Sequence, residues 1–179
     1  MIWKTAVPER SELEKDREYR DMRNEQFLRH GIDRDGMTSF IVDSAEPLPG
    51  QVLDIGTGRG FTAIELARRG ADVTTVDMSE EMLKSAWLHA VETGMADRIE
   101  FHLADGGDLP FEERSFEVVT MVNVLHHLEN PEAVLPEIAR VLIPGGRLIV
   151  ADFTDRGFDI LEKIHGEDGH SHDKHTGET

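Results

Sequence analysis

The chain has 179 residues, 39% of them hydrophobic and 31% charged, which gives one domain a sizeable core and is unlike a disordered chain. A formal net charge of -17 weighs against nucleic acid or anionic lipid as a main partner, because such binding rests on lysine and arginine neutralising phosphates. The absence of cysteine excludes disulfides, a thiolate nucleophile and cysteine-ligated metal.

In chain order, residues 1–8 show no apolar core or small-residue cleavage site, and no apolar run is long enough to cross a bilayer. The expectation is a cytoplasmic protein with no membrane partner. From Glu9 to His30 the sequence is charged and helix-favouring, with Leu13, Tyr19, Met22, Phe27 and Leu28 as sparse apolar positions and Gly31 as its end. Arg17, Arg20, Arg23 and Arg29 are interleaved there with acids, which reads as a solvated face laced with i,i+4 pairs. A second helix is expected over Met37 to Ala45, with Phe40, Ile41 and Ala45 on one face, before Pro47 and Pro49 stop it.

From Gly50 short apolar runs alternate with amphipathic stretches. Strands are expected at Val52–Ile55, Val73–Val76, Ile99–Leu103, Val118–Val122 and Arg147–Phe153. Helices are expected at Thr62–Arg69, from a Ser79 cap to Thr93, after Asn130-Pro131 with Asn130 as cap, and at Phe158–His165. Pro144-Gly145-Gly146 reads as a turn before the fifth strand. Alternating helices and strands that are apolar on both faces define an α/β fold, a doubly wound Rossmann-like parallel sheet of five strands with an added N-terminal helix. Its ligands belong beyond the carboxyl ends of the strands. The chain then divides into residues 1–36 as a helical lid, 37–165 as the Rossmann-like domain and 166–179 as a polar tail rich in His and Asp.

Gly56, Gly58 and Gly60 follow the first strand directly and precede a helix, with Asp54 just ahead of them. Their spacing is G-x-G-x-G, not the G-x-G-x-x-G of dinucleotide enzymes. Asp77 ends the second strand about 20 residues beyond Gly56, the offset at which an acid accepts hydrogen bonds from ribose hydroxyls. Asp105 ends the third strand, within reach of an adenine amino group. Taken singly, each acid reads equally well as a helix cap or turn former. Together, the three suit a ligand with a sugar, a base and a positive centre, and suit a pyrophosphate poorly.

Val52-Leu53-Asp54-Ile55-Gly56-Thr57-Gly58-Arg59-Gly60, Thr75-Val76-Asp77-Met78-Ser79, Leu103 to Phe111 and Leu142-Ile143-Pro144-Gly145-Gly146 resemble, in order and spacing, the motifs of class I S-adenosylmethionine-dependent methyltransferases of the small-molecule type. The likeness covers Thr38 to Phe153. It implies that Gly56, Thr57, Gly58 and Gly60 admit the methionine part of S-adenosylmethionine, with Asp54 helping to hold its ammonium through water. It further implies that Asp77 binds the ribose, Met78 packs on the adenine, Asp105 and Gly106 read the adenine edge, and Asn123 faces the methyl being transferred. S-adenosylhomocysteine would be the product and a small molecule the acceptor. Tyr19, Arg23 and Phe27 of the N-terminal helix are expected to line the acceptor pocket. His126 and His127 are the candidate proton acceptors, with helix-start packing as the competing reading.

After the fifth strand the chain departs from the family. Nothing apolar in residues 166–179 supplies the usual antiparallel hairpin, so the fifth strand is expected to be a bare edge, a route to a homodimer. His170, His172 and His175 are candidate metal ligands, against a solvated tail as the plainer reading. Two further functions compete with methyl transfer: a protein that binds the cofactor without transferring methyl, and a nicotinamide-dependent oxidoreductase.

Overall fold

The computed structural model describes residues 7–48, 50–128 and 130–167. Helices α1 (Arg10–Arg29) and α2 (Arg34–Ser44) precede a sheet of five parallel strands, β1 (Gln51–Ile55), β2 (Asp72–Asp77), β3 (Ile99–Leu103), β4 (Phe116–Val122) and β5 (Leu142–Ala151). Helices α3 (Phe61–Arg68), α4 (Glu80–Glu92) and α5 (Pro131–Val141) connect strands, and α6 (Asp155–Glu167) follows β5. The spatial order is β3-β2-β1-β4-β5. The chain winds outward from β1 to β3 and then returns to the other side of β1, so a crevice opens between the carboxyl ends of β1 and β4.

The pleat sends neighbouring side chains of each strand to opposite faces, and both faces are apolar. Val52, Val73 and Val118 pack with Val42 and Ala45 of α2, Ala63, Ile64 and Leu66 of α3, and Leu83 and Ala86 of α4. Leu53, Ile55, Val119 and Met121 pack on the other face with Val134, Ile138 and Val141 of α5. Burial of this kind stabilises by about 1.5–3 kcal/mol per large side chain, which is what holds the strand ends in register for the site.

The helix starts follow local chemistry. Ser79 Oγ accepts the Met82 N–H at 3.3 Å and Asp33 Oδ1 the Gly36 N–H at 3.0 Å, capping α4 and α2. Asn130 does not cap α5: its side chain makes no such bond, and the helix starts on Pro131, whose missing N–H needs none. The fifth strand starts earlier than expected. Pro144-Gly145-Gly146 lies within β5, where the pairing jumps from Phe116↔Leu142 to Val118↔Arg147 and the extra residues bulge out. β5 lies at one edge of the sheet among the described residues.

α1 departs most from its expected character. Arg10–Glu14 forms the exposed i,i+4 pair that a solvated face implies. Arg20 and Arg23 are buried, Arg20 paired with Asp16 and with Glu92 of α4 and Arg23 donating to Gln26 Oε1 at 2.9 Å. Lys84 meets Glu12 at 2.7 Å and Ser85 Oγ donates to Asp16 at 2.7 Å, so α1 is docked on α4 by polar groups. At α2 the expected face holds at Ala45, just past the helix end and fully buried, but not at Phe40, which is 74% exposed while Val42 is buried instead. Residue 36 lies in the first turn of α2, whose Val42 packs with Ala63 and Ile64 of α3. Within the expected tail, only Gly166 and Glu167 are described, as the end of α6; His170, His172 and His175 lie outside the described residues.

Candidate active site

A cavity of about 1070 Å³ lies at the carboxyl ends of β1, β2, β3 and β4, roofed by α1 and α2 and closed on one side by α6. It draws together Gly56, Thr57, Gly58, Asp77, Met78, Asp105, Gly106 and Asn123 from the strand ends, His126 and His127 from the turn after β4, and Tyr19, Arg23 and Phe27 from α1. Asp54 and Gly60 are not in its wall.

The glycine loop is built for close packing. Gly56 has φ 75°, and a Cβ there would stand 2.4 Å from Val124 Cγ2, so this glycine lets the segment after β4 close over the loop. Gly58 has φ 50° and open space where its Cβ would be, which leaves bare backbone facing the cavity. Gly60 instead lets α3 approach Ala86 of α4. The N–H groups of Gly56 and Thr57 donate to Val76 O, that of Gly58 to Asp77 Oδ2 at 2.9 Å, and that of Gly60 to Thr57 O. With these donors used inside the protein, the loop does not present the ring of free N–H groups that cradles a pyrophosphate.

Each acid is held differently. Asp77 accepts from Gly58 N–H through Oδ2 and from Ser79 N–H at 2.8 Å through Oδ1. A carboxylate has about four acceptor positions, so two remain for ligand hydroxyls. Asp105 Oδ1 accepts the Gly107 N–H at 2.8 Å, so Asp105 forms the turn and also faces the cavity. The loop beyond it is pinned from α5: Arg140 donates to Leu109 O and Phe111 O, and Glu137 accepts the Leu109 N–H at 2.9 Å. The Arg140 guanidinium beside Glu137 holds that carboxyl down at about 2.

Asp54 is 2% exposed and accepts from Thr120 Oγ1 at 2.8 Å and Thr75 Oγ1 at 3.1 Å. Burial pushes its carboxyl up to about 6 in spite of those two hydroxyls. No cation among the described residues pairs with it. Thr57 stands between the strand end and the cavity, with its buried Oγ1 beside the Asp54 carboxyl. A buried carboxyl without a cation fits a ligand that brings an ammonium or another donor to this end.

Two cavity arginines were not singled out in the sequence. Arg34 of α2 is stacked between Phe27 at 4.8 Å and Phe61 at 4.3 Å, and Arg59 lies 4.2 Å over Tyr19. Arg34 has Asn24 Oδ1 at 3.3 Å and no ion-pair partner among the described residues. Burial, with Arg23 and Arg59 nearby, pushes its guanidinium down to about 10. Only the spacing of Phe27, Arg34 and Phe61 carried this in sequence, and nothing there shows that three separate elements meet. The structure also pairs His126 with Asp152, just past β5, at 2.8 Å.

A doubly wound sheet with a glycine loop and braced acids at adjacent strand ends defines a Rossmann-like protein with a nucleoside-type cofactor crevice at its carboxyl edge. A family profile for the methyltransferase domain matches residues 53–150. The chain is 31% identical over 141 residues to the ubiquinone/menaquinone biosynthesis C-methyltransferase UbiE of Brucella canis, covering 77% of this chain and 52% of that one. It is 36% identical over 113 residues to the ubiquinone biosynthesis O-methyltransferase of Xanthomonas axonopodis, covering 63% and 46%. Among solved structures, YcgJ of Bacillus subtilis superposes with a TM-score of 0.61 at 31% identity over 64% of this chain and 49% of that one. A Methanococcus maripaludis structure assigned provisionally to the S-adenosylmethionine-dependent methyltransferases shares the fold, with a TM-score of 0.68 at 18% identity over 93% and 77%. The chain belongs to the methyltransferase-domain family, the class I S-adenosylmethionine-dependent methyltransferases, whose cofactor is S-adenosylmethionine. That membership sets aside the nicotinamide alternative. The chain spans about half the length of the curated relatives it matches. No helix among the described residues is long and apolar enough to cross a membrane, and none of their His, Asp and Glu residues form a group of three able to hold a metal.

Proposed function

We propose that this chain moves a methyl group from S-adenosylmethionine to a small-molecule acceptor held beneath α1. The observation that carries the reading is a continuous cavity joining Gly58, Asp77 and Asp105 at the strand ends to Tyr19 and Phe27 overhead. On this reading Asp77 takes the ribose hydroxyls, Met78 packs on the adenine, Asp105 and Gly106 read its edge and Asn123 faces the methyl. Asp54, acting through Thr57 or a water, is the counter-charge for the ammonium. Arg34, aromatic-flanked and without an ion pair, takes the carboxylate at the same end.

When bound, the sulfonium supplies an activated methyl group. The protein's share is to hold both molecules in line and keep water out, and α1 over the strand ends serves both purposes. Relatives named as C- and O-methyltransferases of quinone biosynthesis support a small-molecule acceptor. We also propose that residues 1–36 act as the lid and that two copies pair along the β5 edge.

The test is incubation of the protein with methyl-labelled S-adenosylmethionine and a fractionated small-metabolite pool. Label in a low-mass product, matched by S-adenosylhomocysteine, is the expected result. Cofactor binding with no label transferred from any fraction would favour the binding-only alternative.

A further inference from the structure

Arg59 occupies the middle of the glycine loop, and both of its ends are held from outside that loop. Gly60 makes this possible: a Cβ there would stand 3.1 Å from Ala86 Cα, so its absence lets the loop lie against α4. Ser85 and His89 lie on either side of Ala86 in sequence, at i and i+4, so they share one face of that helix. His89 takes the backbone end, with Nδ1 3.0 Å from Arg59 O. A carbonyl only accepts, and burial pushes the imidazole down to about 4, so the neutral ring carries its proton on Nδ1 and donates it. The same ring stands edge-on to Phe61 at 5.1 Å, and the Phe61 ring lies 4.3 Å from the Arg34 guanidinium.

Ser85 takes the guanidinium end. Arg59 Nη1 donates to Ser85 Oγ at 2.9 Å, and that hydroxyl gives its own proton to Asp16 Oδ1 at 2.7 Å. Asp16 belongs to α1, so the serine is a relay between the glycine loop and the roof of the cavity. Arg59 Nη1 also stands 3.8 Å from Asp16 Oδ1, and its guanidinium lies 4.2 Å over Tyr19 of α1. The relay is shielded from water: Ser85 is 5% exposed and the Asp16 side chain 10%. A hydrogen bond to a charged group counts for most in such a place. Lys84 and Glu12 join the same two helices at 2.7 Å, but that pair is solvated and neither residue lines the cavity.

We infer that Arg59 is a positioning residue that joins the glycine loop to α1 through Ser85 and Asp16, so that loop and roof hold S-adenosylmethionine as one unit. The inference rests on the cofactor site and the lid proposed above. His89 keeps the backbone of the loop on α4 throughout, so α1 is the part that moves. Asp16 keeps Arg20, its i,i+4 partner on the same helix, when α1 lifts, and opening strands no acid of the relay without a cation. Water then takes the place of Asp16 on Ser85.

The experiment loads the protein with labelled S-adenosylhomocysteine and follows its loss during a chase with unlabelled compound. In parallel it measures how far bound S-adenosylhomocysteine slows tryptic cleavage at Lys15 and Arg17 of α1. Slow release and strong protection are expected in the wild type. Ser85→Ala, which places a good helix former in α4, should release the ligand about tenfold faster and lose most of the protection. Arg59→Met should do the same, and the double variant should release no faster than either single one, because both cut one path. Lys84→Ala removes the solvated pair and should leave release within about twofold. Unchanged release in Ser85→Ala, protection kept by both single variants, or effects that multiply in the double variant would overturn the inference. So would a Lys84→Ala effect as large as that of Ser85→Ala, which would make the strength of helix docking the cause. If the wild type does not bind S-adenosylhomocysteine at all, the cofactor reading falls first, and this inference falls with it.

Discussion

At Asp54 the protein keeps a carboxyl in its interior with two hydroxyl donors and no cation. A carboxyl held at about 6 instead of 3.8 takes up a proton in the folded state across that interval. Its contribution to stability therefore declines as pH rises from about 4 to about 6, a cost of up to roughly 3 kcal/mol above that range. Asp54→Asn keeps an acceptor for one hydroxyl and presents a donor to the other, which a threonine hydroxyl can accept. Thermal melts of the ligand-free protein should show this variant stabilised at pH 8 and not at pH 4, with S-adenosylhomocysteine bound about tenfold more weakly. Equal shifts at both pH values would contradict the assignment. Arg34 makes a separate prediction. Arg34→Met keeps contact with Phe27 and Phe61 but removes the charge. In calorimetry it should bind S-adenosylhomocysteine about tenfold or more weakly and methylthioadenosine, which has no carboxylate, unchanged. A parallel loss for both ligands would place Arg34 in the roof and not against the carboxylate.

The elements that the sequence revealed are those whose signal is local. The strands from Val52 to Val122 are short stretches rich in β-branched and apolar residues between turn and helix signals, and Ser79 and Gly70 mark helix ends by chemistry that needs no distant partner. The start of β5 is hidden because Pro144-Gly145-Gly146 is the signature of a turn, and only pairing with β4 turns it into a bulge. α1, with its polar residues, carries no local sign of burial. Its burial comes from Glu92 and Ser85, more than sixty positions away in sequence, which supply partners to Arg20 and Asp16. The same limit applied to the site. The glycine loop, Asp77 and Asp105 lie at strand ends that periodicity locates, whereas Arg34 and Asp152 acquire meaning only where separate elements converge.

Across the whole molecule, charge and packing divide the work. The sheet and its two apolar faces fix the strand ends, and the polar docking of α1 closes a cavity above them. A chain of net charge -17 retains three arginines, Arg23, Arg34 and Arg59, among the described residues that line that cavity. The cofactor site thus combines an uncompensated buried acid and an uncompensated arginine, the arrangement that a zwitterionic amino-acid end completes. Calorimetric titration of the wild-type chain with S-adenosylhomocysteine, and in parallel with NAD, tests this directly. Binding of S-adenosylhomocysteine at one site per chain, lost in Asp77→Ala, with no heat from NAD, is the predicted result; equal binding of both, or S-adenosylhomocysteine affinity unchanged in Asp77→Ala, would contradict it.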